Sequence, residues 1–526
     1  MTSNSQAMIQ DICQEFKMLL DFVSGEQAQQ ATADQIERGL FKLLLALGAK
    51  LLALFFVIRS EACSREAIES LTGQTMPYHR DTQRDYFSIF GKLALWRPYF
   101  YKKGLGGETP LDAELGLGED CYSDLLREVA DYLGVYNVYH KTGDMLFRLL
   151  GLNLSTGAIE TNIAEDAADA EAYYAQKARP EPGGEAEILV IQADGKGVPL
   201  VLEEPVQAKV RLGKGQKRGR KQEAVVTTVY TIKANLRTPQ QVLESFLHLN
   251  PADTCPQTSS CRPKPQHKHI WATLDGKDTA LARLAKQVAS RRGDHIRHQV
   301  ALCDGCEALQ MRLRKQFPDF TLILDFIHAD EYLWDVANAL LGENLPRRLA
   351  WITDHTLQIL SGQTEQIVAS FRRMAQDDQY TACQRTQLEK TATYFERNLP
   401  YMDYASYLEQ GWPIASGVIE GACRHFVKDR CELSGMRWTQ AGVENLLRLR
   451  AIAENGDWEA YHQFRKNQRH VRLYGKPYPH QTPLEMLVLE RDSCLNKQPI
   501  TSTHRTVEPI TSPQTANSYY ELPLAV

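Results

Sequence analysis

The chain has 526 residues and a mass of 59.6 kDa, which is long enough for about three to four domains. Hydrophobic residues make up 43% of the chain and charged residues 24%, a balance that excludes collagen-like, fully disordered and disulfide-scaffold proteins. The formal net charge is −5 at pH 7, so a polyanionic partner has to be held by local basic patches rather than by overall attraction.

The N-terminal sequence predicts a cytoplasmic protein without a membrane anchor. MTSNSQAMIQD lacks the basic start and early apolar run of a signal peptide. The apolar stretch 36–58 is divided by Lys42 and Lys50 into runs of seven or eight residues, whereas a membrane-spanning helix needs roughly 18 or more. We therefore interpret this stretch as a buried or partner-facing helix. The 11 cysteines are mostly isolated, which suits a reducing compartment.

The N-terminal part of the chain is predicted to be a mainly helical DNA-binding region. Helical patterns cover most of residues 1–80. Residues 81–163 begin with an aromatic, loosely alternating segment, which predicts a β-hairpin around Phe90-Gly91. They continue with three short amphipathic helices.

Local sequence signals mark where these three helices begin or end. Gly134 and Gly151 are expected to end the first two helices, and Ser155 is expected to cap the third. Three short helices joined by glycine-containing turns resemble a helix-turn-helix module, whose last helix enters the major groove of DNA. A structural bundle without a DNA-reading role is the alternative interpretation.

The composition changes after the helices, and it predicts an α/β domain. Residues 164–187 are acidic and then rich in Pro and Gly, which indicates a linker. Strand patterns that alternate with helices predict a catalytic domain with a mixed sheet over 188–328 and 411–456. An all-α insertion is expected at 329–410, and a flexible tail at 480–526. The predicted strands are 188–194, 224–232, 269–274, 299–304 and 320–326.

Three acidic residues stand where chemistry is expected. Asp194 and Asp304 each end a predicted strand and precede a glycine, and ligands of α/β sheets bind beyond the carboxyl ends of the strands. For either aspartate alone, a turn residue is the alternative. Glu420 lies among small and apolar neighbours, where a charge is costly unless it meets a metal ion or a partner. A surface ion pair with Arg424 is its alternative.

If these three acids converge, they require cations. Like charges about 4 Å apart repel by on the order of 4 kcal/mol at an effective dielectric constant of ~20. Ligands that are all carboxylates favour Mg²⁺ or Mn²⁺ over zinc. Two such ions about 3.5–4 Å apart activate an attacking water or hydroxyl and stabilise the leaving oxygen of a phosphodiester. The residues therefore predict a site for two Mg²⁺ ions.

Several longer segments resemble a known family. VIQADGKGV, ALCDGCEAL, FPDFTLILDFIHADEYLW and SGVIEGACRHFVKDR followed by SGMRW resemble the RNase H-like DDE transposases of bacterial insertion sequences, in the Kra-type family related to Mutator-like transposases. FGKLALWRPYFY and PLDAELGL resemble the leader region of that family. The resemblance implies an enzyme that binds the terminal inverted repeats of double-stranded DNA, cleaves strands and transfers them, and acts as a homo-oligomer. It places Asp194, Asp304 and Glu420 in the catalytic, metal-binding positions.

The second acid has an alternative. Asp325 also ends a strand, and Asp325-Phe-Ile-His328 matches a Cys/Asp-x-x-His motif of related transposases. We prefer Asp304 because its strand follows the first helix of the fold. His328 is expected to brace the site or to contact DNA, and a buried histidine is the alternative. A domesticated, catalytically inactive DNA-binding protein and a nuclease without strand transfer remain alternative functions.

Local basic segments predict the DNA contacts. The run 209–221 has seven Lys or Arg residues and no acid, which favours phosphate contact over a solvated loop. In Arg437-Trp438 the indole is expected either to stack on a base or to fill the core. No GxxxxGK[ST] motif is present, so no nucleotide cofactor is implied. The candidate DNA-binding residues are Lys214, Lys217, Arg218, Arg220, Lys221, Arg424, Lys428, Arg437 and Trp438.

Overall fold

The structure is a computed structural model, in which Met1–Tyr478 form one compact unit. Residues 480–526 of the predicted tail and residues 209–220 of the basic run lie outside the described residues. The described residues are 3–69, 73–201, 221–247, 262–343, 345–433 and 435–479.

Helices and strands alternate through the described residues as a mixed α/β fold. The strands are β1 (Ile68–Glu69), β2 (Thr75–Met76), β3 (Tyr78–Ser88), β4 (Gly91–Lys102), β5 (Gly106–Glu108), β6 (Ile188–Pro199), β7 (Lys221–Ile232), β8 (Gln266–Thr273), β9 (His298–Cys303) and β10 (Thr321–Leu324). The α-helices are α1 (Ser3–Ser24), α2 (Glu26–Gln29), α3 (Ala33–Ala62), α4 (Pro110–Glu114), α5 (Asp124–Tyr136), α6 (Tyr139–Leu150), α7 (Thr156–Asp166), α8 (Ala170–Gln176), α9 (Pro239–Leu247), α10 (Lys277–Arg291), α11 (Glu307–Gln316), α12 (Phe326–Leu341), α13 (Leu345–Leu360), α14 (Thr364–Ala375), α15 (Ala382–Asn398), α16 (Tyr404–Glu409), α17 (Gly417–Gly421), α18 (Asp429–Cys431), α19 (Gln440–Glu454) and α20 (Trp458–Tyr474).

The N-terminal region contains a helical pair and a β-hairpin. Helix α3 begins at a capping box, in which the side chain of Thr32 accepts from the Gln35 N–H at 3.3 Å. Its Lys50 forms ion pairs with Asp11 and Glu15 of α1 at 2.9 and 2.6 Å, which ties the two helices together. Strands β3 and β4 pair antiparallel and turn just before Gly91, so the predicted hairpin is confirmed.

The three-helix segment follows the prediction at two of its three boundaries. Gly151 ends α6 in the left-handed region with φ 70°, and the Ser155 hydroxyl accepts from the Ala158 N–H at 3.1 Å to cap α7. The prediction that Gly134 ends α5 is wrong, because the helix continues to Tyr136. A Cβ at Gly134 would lie 2.9 Å from the side chain of Ile163, so this glycine allows α5 and α7 to pack closely.

The acidic segment 164–187 is packed rather than extended as the linker interpretation expected. It contains α8, whose Tyr173 and Tyr174 are buried. Asp166 is also buried, and it forms ion pairs with Arg127 and Arg465 from α5 and α20. The acids therefore pair with basic residues far away in the chain, and a local composition pattern does not predict such partners.

The central sheet has five strands in the order β10-β9-β6-β7-β8. Strand β7 is antiparallel to both of its neighbours, and β9 and β10 run parallel to β6. Helices α10 and α11 pack on one face, against Leu189, Ile191 and Ala301. Helices α12 to α16 pack on the other face, against Val190 and Leu302. The chain between β10 and α17 is helical wherever it forms regular structure in its described residues.

Candidate active site at the carboxyl end of the sheet

Three aspartates lie at or just beyond the end of the parallel strand pairing. The prediction that Asp194 ends its strand is wrong, because β6 continues to Pro199 and pairs Asp194 with Val226 of β7. Gln192 of β6 pairs with Leu302 of β9, and two further steps along both strands set Asp194 beside Asp304. Leu324 of β10 pairs with Cys303 of β9, and one further step sets Asp325 beside Asp304 on its other side. Asp304 therefore follows β9 at a position between Asp194 and Asp325 in the order of the strands, and the charge of Asp194 acts on its pKa.

Asp194 and Asp304 interact through their charges, and both side chains are partly exposed. Burial raises the pKa of Asp304, the N–H of Cys306 at 3.1 Å partly offsets this rise, and the negative charge of Asp194 adds to it. One oxygen of Asp194 accepts from the N–H of Gly195 at 2.6 Å. The charged form of Asp304 is therefore penalised, and a cation bound beside it would stabilise that form.

Asp325 differs from Asp194 and Asp304 because both of its carboxylate oxygens accept hydrogen bonds within the protein. The side chain is 1% exposed, and it caps α12 by accepting from the Ile327 N–H at 2.9 Å. Its other oxygen accepts from the hydroxyl of Ser416. Burial raises the pKa of Asp325 in spite of these hydrogen bonds. This geometry favours Asp304 over Asp325 as the second acid.

The helical segment that carries Glu420 packs beside Asp194. A π-helix, Ala422–Lys428, joins α17 to α18, and its apolar side is buried at the positions that the sequence pattern predicts. Cys423 is among these buried residues, and its thiol donates to Asp194 with Sγ 3.3 Å from Oδ2. Burial raises the pKa of this thiol and the charge of Asp194 raises it further, so the thiol remains a neutral donor.

Glu420 itself is not joined to the two aspartates. Its side chain is exposed, and in the described part of the chain it forms neither the ion pair with Arg424 that was the alternative interpretation nor any other ion pair. It precedes Cys423 by three residues, about one helical turn. Within the described ranges, no three His, Cys, Asp or Glu side chains form a group that would hold a metal ion. The structure thus brings two of the three predicted acids together and leaves the third in solvent.

His328 lies in the first turn of α12, three residues after Asp325. Burial opposes its charged form, but the hydrogen bond to Glu331 at 3.0 Å and the charges of Asp325 and Asp304 outweigh burial and raise its pKa. Its side chain is 41% exposed, so the alternative of a buried histidine does not apply. When protonated, His328 places a positive charge near Asp325 and Asp304.

The predicted DNA-binding residues fall into three groups. Lys214, Lys217, Arg218 and Arg220 lie outside the described residues, and Lys221 forms an ion pair with Glu432. Trp438 is 7% exposed and its Nε1 donates to the carbonyl of Cys431 at 3.1 Å, which favours the core-filling role over base stacking. Lys221 is exposed, and so are the remaining members Arg424, Lys428 and Arg437.

Two further contacts to the site have no signal in the sequence pattern. A Cβ at Gly305 would lie 2.4 Å from the ring of Tyr394, and Arg397 donates to the Gly305 carbonyl at 2.7 Å. Both residues belong to α15, which follows Asp304 by about 90 residues. The helices between β10 and α17 therefore hold the turn that carries Asp304. The Asp304-Gly305 pair predicts a turn, but it does not predict the contacts of this turn with Tyr394 and Arg397.

Comparisons with known proteins add little to this geometry. No family model matches the chain, and no curated protein matches it. Among solved structures, the Drosophila P element transposase strand transfer complex is similar at 11% sequence identity and a TM-score of 0.23, over 74% of this chain and 95% of that chain. A TM-score of this size carries no weight for fold or function, so the site is judged on its own residues.

Proposed function

We propose that the chain is an RNase H-like DDE transposase that binds terminal inverted repeats, cleaves the DNA and joins its 3′-hydroxyl end to target DNA. The observation that supports this most is the parallel pairing of β6 with β9, which brings Asp194 and Asp304 next to each other. Strand β6 lies in the middle of the sheet. Strand β7 pairs antiparallel with β6, β8 pairs antiparallel with β7, and β9 and β10 run parallel to β6. This is the strand order expected of an RNase H-like domain.

The donor set fits hard divalent cations. Asp194 and Asp304 offer carboxylate oxygens, which Mg²⁺ and Mn²⁺ prefer, and Glu420 offers an exposed carboxylate one helical turn from the thiol that contacts Asp194. Two cations bound by these three residues would supply Lewis-acid activation of the attacking oxygen and stabilisation of the leaving oxygen. Cations bound between Asp194 and Asp304 would also offset the repulsion of these two carboxylates.

The chain's own groups hold the acids and receive the DNA. Backbone N–H groups fix one oxygen of Asp194 and one of Asp304, and α15 holds the loop that follows Asp304. The exposed cations Arg424, Lys428 and Arg437 follow Glu420 in sequence and are available for DNA phosphates. No side-chain nucleophile is required, because water and then the DNA hydroxyl attack the phosphodiester.

The experiment is a cleavage and joining assay with the full chain, Mg²⁺ and labelled DNA that carries the inverted repeats flanking its gene. Cleaved ends joined to a target plasmid support the transposase. Cleavage without joining supports the nuclease, and binding without cleavage supports the inactive DNA-binding protein. The Asp194→Asn/Asp304→Asn double variant is the matched control, because it keeps the size of both side chains and removes both charges.

A further inference from the structure

The first two long helices leave an unusual amount of apolar surface in solvent. Side chains on α1 and α3 that are 39–60% exposed include Phe16, Met18, Leu20, Val23, Phe41, Leu44, Leu51 and Phe55. Helix α3 has 30 residues, of which only Phe56 and Ser60 are buried. Contiguous apolar surface of this kind marks an interaction site in a folded protein.

The exposed residues of α3 follow the spacing of a helix–helix seam. Phe41, Leu44, Gly48, Leu51 and Phe55 are separated by three, four, three and four residues, which places them along one stripe that suits pairing with a second helix. A Cβ at Gly48 would lie 2.6 Å from the ring of Phe90, which comes from the turn before β4. The half-exposed Phe90 ring thus fills the gap at the glycine and makes the stripe continuous.

The stripe is self-complementary when a second copy runs in the opposite direction. Phe41 and Phe55 stand seven residues to either side of Gly48, and Leu44 and Leu51 stand four and three residues to either side. Apolar residues of one copy would therefore face apolar residues of the other about a two-fold axis at Gly48.

Charge agrees with this antiparallel arrangement. Glu37 and Arg59 lie eleven residues to either side of Gly48 and fall on the stripe. An antiparallel pair would place Glu37 opposite Arg59 of the partner subunit at both ends of the seam. Arg59 is 38% exposed and holds Glu114 at 3.0 Å, so its guanidinium keeps donors for a second carboxylate.

A lipid bilayer fits the helix less well than a second copy does. By length and composition alone, α3 is apolar enough to cross a membrane. However, Lys42 and Lys50 interrupt its apolar stretch. Lys42 is exposed, and Lys50 is paired with two acids of α1 near the helix centre. These charges suit an aqueous interface.

We propose that the exposed stripe of α3, with Phe90 at its centre, is the surface through which two copies of this chain associate in antiparallel orientation. This inference does not depend on the proposed function, since it rests on a part of the chain remote in sequence from the acidic residues. A dimer built on this surface would carry two catalytic units.

The first test measures mass against concentration by sedimentation equilibrium on the full chain. We expect a species of twice the 59.6 kDa chain mass. Leu44→Asp/Leu51→Asp should weaken the association at least ~100-fold, because it buries unpaired charges in the seam. Leu236→Asp and Met311→Asp are matched controls at apolar positions 71% and 65% exposed elsewhere. They should leave the association unchanged, and circular dichroism checks that every variant is folded.

The second test measures orientation by disulfide cross-linking in a Cys13→Ser background, which removes the exposed thiol of α1. Chains carrying Leu44→Cys and chains carrying Leu51→Cys should cross-link to each other when mixed, and neither should cross-link efficiently alone. Cross-linking of Leu44→Cys chains with themselves would overturn the antiparallel seam. A monomeric wild type, or one that sediments with phosphatidylcholine–phosphatidylglycerol vesicles through α3, would overturn the proposal.

Discussion

At the scale of single residues, burial separates aspartates that look alike in the sequence. Asp304 is partly exposed and feels the charge of Asp194, whereas Asp325 is buried and both of its oxygens accept hydrogen bonds within the protein. The sequence pattern finds all of these acids as strand-terminal residues. It does not rank them, because the Ser416 hydroxyl that engages Asp325 lies 91 residues away in the chain.

Substitution separates the two candidates for the second acid. Asp304→Asn should lower the rate of DNA cleavage at least ~10³-fold, which corresponds to about 4 kcal/mol of activation barrier. Asp325→Asn should keep the rate within about tenfold, since Asn caps a helix nearly as well as Asp does. Single-turnover cleavage of labelled terminal DNA measures both rates. Loss of activity in Asp325→Asn, with activity retained in Asp304→Asn, would reverse the assignment.

Glu420 and Cys423 provide a second matched pair on one helical segment. Glu420→Gln should lower cleavage as strongly as Asp304→Asn, because it removes the charge of the third proposed ligand. Cys423→Ala should stay within about tenfold, because the thiol is only a weak donor to Asp194. The same single-turnover assay compares them. Equal losses in both variants would mean that the segment acts by packing rather than through the glutamate.

The raised pKa of Asp304 gives stability a defined dependence on pH. Between the ordinary value of 3.8 and the raised value, the folded chain holds a proton that the unfolded chain releases, so the free energy of unfolding falls as pH rises through that window. Asp304→Asn should flatten this fall. Urea unfolding at several pH values without divalent ions measures it, and a steeper fall in Asp304→Asn than in wild type would contradict the assigned cause.

At the scale of elements, the glutamate-bearing segment is held by one buried arginine. Arg450 of α19 donates to the carbonyls of Phe426 and His425 at 2.8 and 2.7 Å, and to that of Val135 in α5 at 2.5 Å. These bonds connect the end of the π-helix to the three-helix segment. The segment's position beside Asp194 therefore depends on contacts made by two distant helices.

Replacing this arginine should loosen that connection. Arg450→Met leaves three carbonyls without their donor, and each buried unpaired acceptor costs about 1–3 kcal/mol. We expect the free energy of unfolding to fall by roughly 3 kcal/mol or more. Arg424→Met, at an exposed position of the same segment, should change it by no more than about 0.5 kcal/mol. Denaturant titration gives both values, and similar values for the two variants would contradict the role of Arg450.

The helices and strands could be predicted from the sequence wherever residues close together in the chain determine them. Strands β6 and β7 contain long runs of branched apolar residues, ILVIQA and AVVTTVY, and the Gly151 and Ser155 boundaries follow from backbone chemistry. The predictions that were wrong concern contacts between residues far apart in the chain. Gly134 serves the packing of Ile163 from another helix, and the acidic segment is helical because basic side chains of distant helices neutralise it.

At the scale of the whole molecule, strand order is what brings the site together. Local patterns predict that Asp194 and Asp304 end strands, but only the parallel pairing of β6 with β9 makes them neighbours. The sequence left a surface position of Glu420 open as the alternative, and the side chain is exposed in the structure.

The central claim is that Asp194, Asp304 and Glu420 share divalent cations, and a titration of the full chain with Mn²⁺ followed by electron paramagnetic resonance tests it most directly. We predict that the wild type binds two ions, and that Asp194→Asn, Asp304→Asn and Glu420→Gln each weaken binding at least ~10-fold. Asp325→Asn should bind as the wild type does. A wild type that binds no Mn²⁺, or Glu420→Gln with unchanged affinity, would contradict the account.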